Sequence, residues 1–375
     1  MDGFGGDGVK VNPEIESDSD KSDEVHSDHD SDSDSDGPRF IGIDANDGIY
    51  RIAYASVGSE NYASWHWFLD ILKNDLQIGN ICFMSDKQKG LVEATDDIFP
   101  NTEVRNCVRH LYNNFNELHK GKALKDVVWK AARASYLREF ETAMDQLKTL
   151  SIPAYEWINK INPAQWFRSH LSTRNKCDML LNNLCESFNK VILEVRDKPI
   201  LTMMEVIRTK LMKKVVNKRE EAEKWPNPLC DKIQKKLDTI IQQSLGCWAT
   251  RAGGERYQVQ GGLGHQHVVD LVQHTCSCRR WDLSGIPCIH AISAIQDTNR
   301  KPKDYVNECY HKSTQIVIYS NIISPVKVTD MELILPLAIR RPPGRPTKKG
   351  EKKLMKLTIL SLVRGDNKPT AASVV

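Results

Sequence analysis

Residues 40–57 read FIGIDANDGIYRIAYASV, and the fold turns on this stretch. Strand-forming residues crowd both of its halves, while Ala45-Asn46-Asp47-Gly48 between them has the composition of a tight turn. A β-hairpin is expected. Upstream the text is different in kind. Residues 1–38 alternate Ser and Asp, hold almost no large apolar side chain, and cannot bury enough surface to offset the entropy of ordering, so a disordered acidic tail is expected there.

Downstream of the hairpin, Trp65, Phe68, Leu69 and Leu72 recur at helical spacing within 61–76. Ile78 to Met84 is a compact apolar run ending at Ser85-Asp86, which reads as a strand. Residues 87–98 return to helical periodicity, Val104 to Val108 reads as a short strand, and 109–150 is helix-rich. The order β-β-α-β-α-β-α predicts an α/β sheet domain. Pro153 to Trp166 reads as connectors. Helices are expected over Met179–Val195, over Thr202–Lys224 until Pro226 and Pro228, and near 229–245, followed by a β-hairpin over 254–275 turning at Gly261-Gly262.

The net charge of +3 hides an asymmetry. Residues 1–36 hold thirteen Asp or Glu against Lys10 and Lys21, a net of −11, which leaves +14 on the remainder. A basic body with an acidic tail fits a polyanionic partner. No run approaches the length of apolar sequence that a membrane span needs, and the N-terminus lacks a basic segment followed by an apolar one, so a soluble intracellular protein with no membrane partner is expected. The ten cysteines are then expected as thiols, and any close cluster of them reads as metal-binding before it reads as disulfide.

One such cluster exists. Cys276, Cys278, Cys288 and His290 have the form C-x-C, nine residues, C-x-H: three thiolates and one imidazole, a donor set suited to closed tetrahedral zinc. Gly285 and Pro287 favour a turn before the second pair, and Ile289, Ala291, Ile292 and Ala294 read as the start of a buried helix carrying His290. With no open position the zinc would be structural. The bland alternative is ordinary buried cysteines with a satisfied histidine. The wider text CSCRRWDLSGIPCIHAISAI resembles the SWIM-type zinc finger at all four ligand positions and at Trp281, Gly285 and Pro287. That resemblance implies binding to DNA or protein.

Further segments carry a larger resemblance: GIDANDGIYRIAYASV, SWHWFLDIL, FMSDKQKGL with FPNTEVRNCVRHLYNNF, and STRNKCDMLLNNLCESFNKVILEVRDKPILTMMEVI. Together they resemble the Mutator-like transposases of plants, from about Phe40 to about Tyr310. The resemblance implies an RNase H-like, integrase-type core with a helical insertion, in which three carboxylates hold Mg2+ or Mn2+ for strand transfer. Asp86 matches the second catalytic aspartate and Glu186 the glutamate. Cys107 and His110 match a C-x-x-H pair that supports the site or contacts nucleic acid, with core packing of a thiol and a histidine as the plain alternative. The first aspartate belongs on a strand of the type L-D-G-x-F ahead of the hairpin, and SDSDSDGPRF stands there instead. Asp32, Asp34 and Asp36 precede Gly37-Pro38 and present no fixed ligand, while Asp44 falls at the hairpin position and not at the metal position. The expected fold is therefore an α/β RNase H-like transposase core lacking its first strand, plus a small SWIM zinc finger.

Arg340 to Lys356 carries eight Lys or Arg against Glu351 alone. Arg341, Gly344, Arg345 and Pro346 within RRPPGRP resemble an AT-hook, whose extended core lies in a narrow A·T minor groove. A basic nuclear-import tail fits the same residues, and both readings imply a nuclear protein.

The expected organisation is an acidic tail over 1–38, a transposase-like domain over 39–250, a zinc-finger region over 254–300, an extension over 301–339 and a basic tail over 340–375. The expected function is a zinc-binding, transposase-derived nuclear protein that binds duplex DNA or other proteins and lacks catalysis for want of the first aspartate. The alternatives are an active Mutator-like transposase and a transcription regulator resembling the far-red-impaired response proteins.

Overall fold

The computed structural model describes residues 38–76, 81–85, 90–182, 195, 198–261 and 265–325, and within them the fold is mixed α/β. Strands β1 (Arg39–Ile43) and β2 (Ile49–Tyr54) form the expected antiparallel hairpin, with a bulge between Phe40 and Ile41. Asp44 explains the turn. Its buried carboxylate accepts from the backbone N–H of Asn46 at 2.9 Å and of Gly48 at 2.7 Å, and its other oxygen accepts from the Tyr319 hydroxyl at 2.7 Å. A Cβ at position 48 would lie 2.6 Å from that carboxylate, so only glycine closes the turn around it. Asp44 is thus a structural anchor.

Helix α1 (Tyr62–Leu76) buries Trp65, Phe68, Leu69 and Leu72, as their spacing requires. Strand β3 (Cys82–Ser85) follows, then α2 (Leu91–Ile98) and β4 (Glu103–Asn106), which pairs parallel with β3. The strand expected over Val104–Val108 begins one residue earlier and stops at Asn106, because Cys107 already serves as the N-cap of the next helix. Phe40 of β1 meets Phe83 of β3 at 5.6 Å between ring centroids, and one apolar cluster joins these residues to α1 and α2. Among the described residues, β1–β2 and β3–β4 remain separate two-stranded sheets.

The helix-rich stretch resolves into α3 (Val108–Leu118), α4 (Lys122–Arg133) and α5 (Leu137–Leu150). The reading of Pro153 to Trp166 as connectors needs correction. Ile152–Asn159 is a helix, α6, with Pro153 in its first turn, where a missing N–H costs nothing, and with the Ser151 hydroxyl accepting from Ala154 N–H. These four helices bury Phe115, Val128, Leu147 and Ile158 together with Trp166 and Phe167. Met179–Asn182 carries no helix, Val195 lies in a turn, and 183–194 lie outside the described residues. Helix α7 (Ile200–Glu223) packs Ile207 and Leu211 against Ile41 on one face of the hairpin. Helix α8 (Asp231–Gln243) receives a cap from the hairpin turn, where Asn46 Oδ1 accepts from Lys232 N–H at 2.8 Å.

The last sheet has four antiparallel strands: β5 (Trp248–Gly253), β6 (Arg256–Gln260), β7 (Gln266–Asp270) and β8 (Thr275–Cys276). The expected hairpin is the β6–β7 pair, but β5 precedes it and turns through Gly253 and Gly254, both at positive φ. That strand escaped sequence reading because Trp248–Gly253 is exposed almost throughout and so shows no alternation. Short helix α9 (Arg280–Ser284), α10 (Ile289–Asp297) and α11 (Lys312–Ile318) complete the described chain, none of whose helices is long and apolar enough to cross a membrane.

Candidate metal centre

The zinc ligands are delivered by secondary structure. Cys276 ends β8, opposite Val269, and Cys278 follows on a turn in which Arg279 adopts φ 61° and its N–H donates to the Cys276 carbonyl at 2.7 Å. Helix α9 then runs one turn and stops at Gly285, φ 74°, where a Cβ would meet that of Asn307 at 2.9 Å. Cys288 is the N-cap of α10 and His290 lies in its first turn.

The donor atoms of Cys276, Cys278, Cys288 and His290 all lie within 4.8 Å of one another, and all four residues are buried. The Cys278 and Cys288 sulfurs are 3.5 Å apart, and His290 Nδ1 is 3.8 Å from the sulfurs of both Cys276 and Cys288. Tetrahedral Zn–S bonds of about 2.3 Å imply sulfur separations of roughly 3.8 Å, so the cage already has the dimensions of its ion. The set is a Cys3His structural zinc site. His290 faces the sulfurs through Nδ1, and its Nε2 edge packs over Gly261.

Three thiols crowded in an apolar pocket share charge unequally. The Cys276 and Cys288 thiols turned toward Cys278 hold it well below the ordinary thiol range, while Cys276 is pushed up by its contact with Cys278 and Cys288 by burial. Zinc takes thiolates, so its binding expels thiol protons from this set. Around this cage, Asp282 accepts from Cys276 N–H at 3.0 Å, and the Ser277 hydroxyl accepts from Val268 N–H at 3.0 Å. The His267 ring lies against that of His290, tilted by 34° with centroids 4.1 Å apart. Asp282 and His267 were missed in the sequence because neither stands at a ligand spacing.

The finger is welded to the rest of the fold. Leu283, 1% exposed, belongs to the same apolar cluster as Phe115 and Leu147 of the helical region. The Arg279 guanidinium donates to the carbonyls of Ser169 and Leu171. Lys176 Nζ donates to the Asp282 carbonyl at 3.1 Å, and Tyr310 Oη bridges the carbonyls of Lys176 and Ser284. The opposite flank of the same segment is held by buried Arg105, which donates to the carbonyls of Cys177 and Ser172.

Cys107 and His110 are brought together where the parallel strands β3 and β4 end, Cys107 N–H donating to the Ser85 carbonyl at 2.9 Å. Burial pushes the Cys107 thiol up, but hydrogen bonds from His110 and from Asn182 N–H, the latter at 3.3 Å, outweigh it and bring the thiol below its ordinary value. Asp86, Glu186, Arg341, Gly344, Arg345 and Pro346 lie outside the described residues, as does the acidic tail.

Sheet, short helix and Cys3His cage together define a zinc-finger protein built onto an α/β body. The chain carries a MULE transposase domain, matched over residues 38–114, and a SWIM zinc finger, matched over residues 257–299. No curated protein and no solved structure matches the chain.

Proposed function

We propose that this is a transposase-derived, nuclear DNA-binding protein in which a structural zinc finger braces the transposase-type body, and in which strand transfer has been lost. The observation that carries this reading is the junction of the two domains. Arg279 and Leu283 of the finger are inserted into the body, which supports the finger and the body acting together on one partner. The charge of +14 outside residues 1–36 supports a polyanionic partner, and the basic run from Arg340 to Lys356 adds an A·T minor-groove contact. The body is of RNase H-like descent. The reading that catalysis is lost is supported by SDSDSDGPRF standing where the resemblance puts the strand bearing the first metal-binding aspartate, the partner that Asp86 and Glu186 would need to hold Mg2+ or Mn2+.

The test is binding to a labelled A·T-rich duplex at low and moderate salt, with strand cleavage followed in Mn2+. The reading expects binding that weakens steeply with salt and no cleavage product. Cleavage would restore the transposase reading. Absence of any duplex binding would shift the function to protein partners.

A further inference from the structure

Residues 120–138 hold six Lys or Arg against Asp126 alone, and four of those cations ride on α4. The helical repeat sorts them. Val128, Ala131 and Ala132 are buried, so a pitch of 3.6 residues turns Lys122, Trp129 and Arg133 onto the outward face, with exposed Lys125 on its flank. Aromatic rings then brace the charges. Lys125 Nζ lies 5.9 Å from the centroid of the Tyr112 ring of α3, Tyr112 meets Trp129 at 6.2 Å, and the Arg133 guanidinium lies 5.2 Å over Trp129. Such contacts order a long cationic side chain before any ligand arrives. The row crosses to the finger at Tyr136, just past the end of α4, whose ring meets that of His267 edge-on at 5.7 Å and lies within electrostatic reach of exposed Arg280. Glu139, the next acid along the chain, accepts from Ser135 N–H at 3.2 Å.

We infer that this ring-braced stripe, from Lys122 along α4 and across Tyr136 to the zinc finger, is a track for the phosphates of duplex DNA. The inference rests on the proposed DNA-binding reading and names the surface that carries it on the body. Charge complementarity is the first reason, since the stripe offers cations with one acid among them. Spacing is the second. Lys125 and Arg133 stand eight residues apart, a rise of about 12 Å, which is close to the width of the major groove of a duplex. The third reason separates paired from unpaired nucleic acid: Tyr112 and Trp129 each give a face to a cation, so the stripe presents charge where a single-strand site presents open rings for stacking. Phosphate contacts of this kind set register and carry no base sequence. Because His267 lies against the zinc ligand His290, the metal cage fixes the point at which the track leaves the body.

The test is the affinity of the full chain for a labelled mixed-sequence duplex over a series of salt concentrations. Each phosphate contact contributes about 0.9 to the slope of log affinity against log salt, so Lys125→Gln should lower the slope by about 0.9 and Lys125→Gln with Arg133→Gln by about 1.8. Lys224→Gln with Lys235→Gln removes the same charge from exposed positions off the stripe and should leave the slope as it is in the wild type. Equal thermal midpoints and zinc content establish that the variants fold; Lys125, fully on the surface, keeps the test open if Arg133→Gln does not. A slope unchanged by Lys125→Gln, or lowered as much by the off-stripe pair, overturns this surface while DNA binding elsewhere on the chain stands. A wild type that binds no duplex overturns both. Polyglutamate of equal charge displacing the duplex as readily as unlabelled duplex also overturns the inference, because the stripe would then be a site for acidic peptide.

Discussion

The Arg279 guanidinium donates to the Leu171 carbonyl at 2.9 Å, so a residue one step beyond a zinc ligand holds the backbone of a segment more than a hundred positions earlier in the chain. A second arm takes the Ser169 carbonyl. Arg279→Ala should cost about 2 kcal/mol, as expected for loss of charged donors from partly buried acceptors. Arg279→Lys should not rescue it, since one ammonium cannot reproduce the fork. Arg279→Gly should recover about 1 kcal/mol relative to alanine, because the position sits at φ 61°. Denaturant midpoints of the three variants check the order.

Cys276→Ser and His290→Ala should each abolish zinc binding, read as metal per chain by atomic emission, from one to none. Because Leu283 belongs to the main helical cluster, the loss should also speed hydrogen exchange in 167–182. Zinc retained by either variant would remove that residue from the ligand set.

Gly48→Ala should displace the Asp44 carboxylate, 2.6 Å from the added methyl, and so break the Tyr319 contact as well. Tyr319→Phe isolates the second effect and should cost about 1–3 kcal/mol, the price of leaving a buried acceptor short of its donor. Thermal unfolding of both variants should rank Gly48→Ala as the less stable.

Lys214 donates to the Ile49 carbonyl at 2.7 Å, and burial, with Arg51 nearby, brings its ammonium down to about 8 from an ordinary 10.5. Between those values the unfolded chain binds more protons than the folded one, so this group makes stability rise with pH across that window and leaves it flat below. Lys214→Met should remove the rise. Urea midpoints of wild type and variant at pH 7, 8.5 and 10 measure the difference, and parallel curves would refute the assignment.

The zinc ligands were legible in the sequence because ligation imposes spacing, and a turn between paired ligands leaves Gly285 and Pro287 behind. The hairpin was legible because β1 and β2 border a turn whose chemistry is local, down to the Asp44 carboxylate. What stayed hidden was long-range. Nothing near Arg279 announces the carbonyls of Ser169 and Leu171, and nothing in 254–300 announces that Leu283 belongs to another cluster. Pro153 misled because the same residue opens helices and ends them, and its place in the first turn of α6 depends on Ser151 before it. Strand β5 was invisible because its partner, not its own pattern, makes it a strand.

The double hold on the segment from Phe167 to Asn182, by Arg105 on one flank and Arg279 on the other, sets an order of events during synthesis. A chain emerging from the ribosome can build the body as far as Arg105 and its neighbours early, but the second grip waits until His290 has left the exit tunnel and the metal has been captured. Until then the helical region lacks Leu283 from its interior, and a nascent chain starved of zinc is expected to leave that interior open to chaperones and proteases.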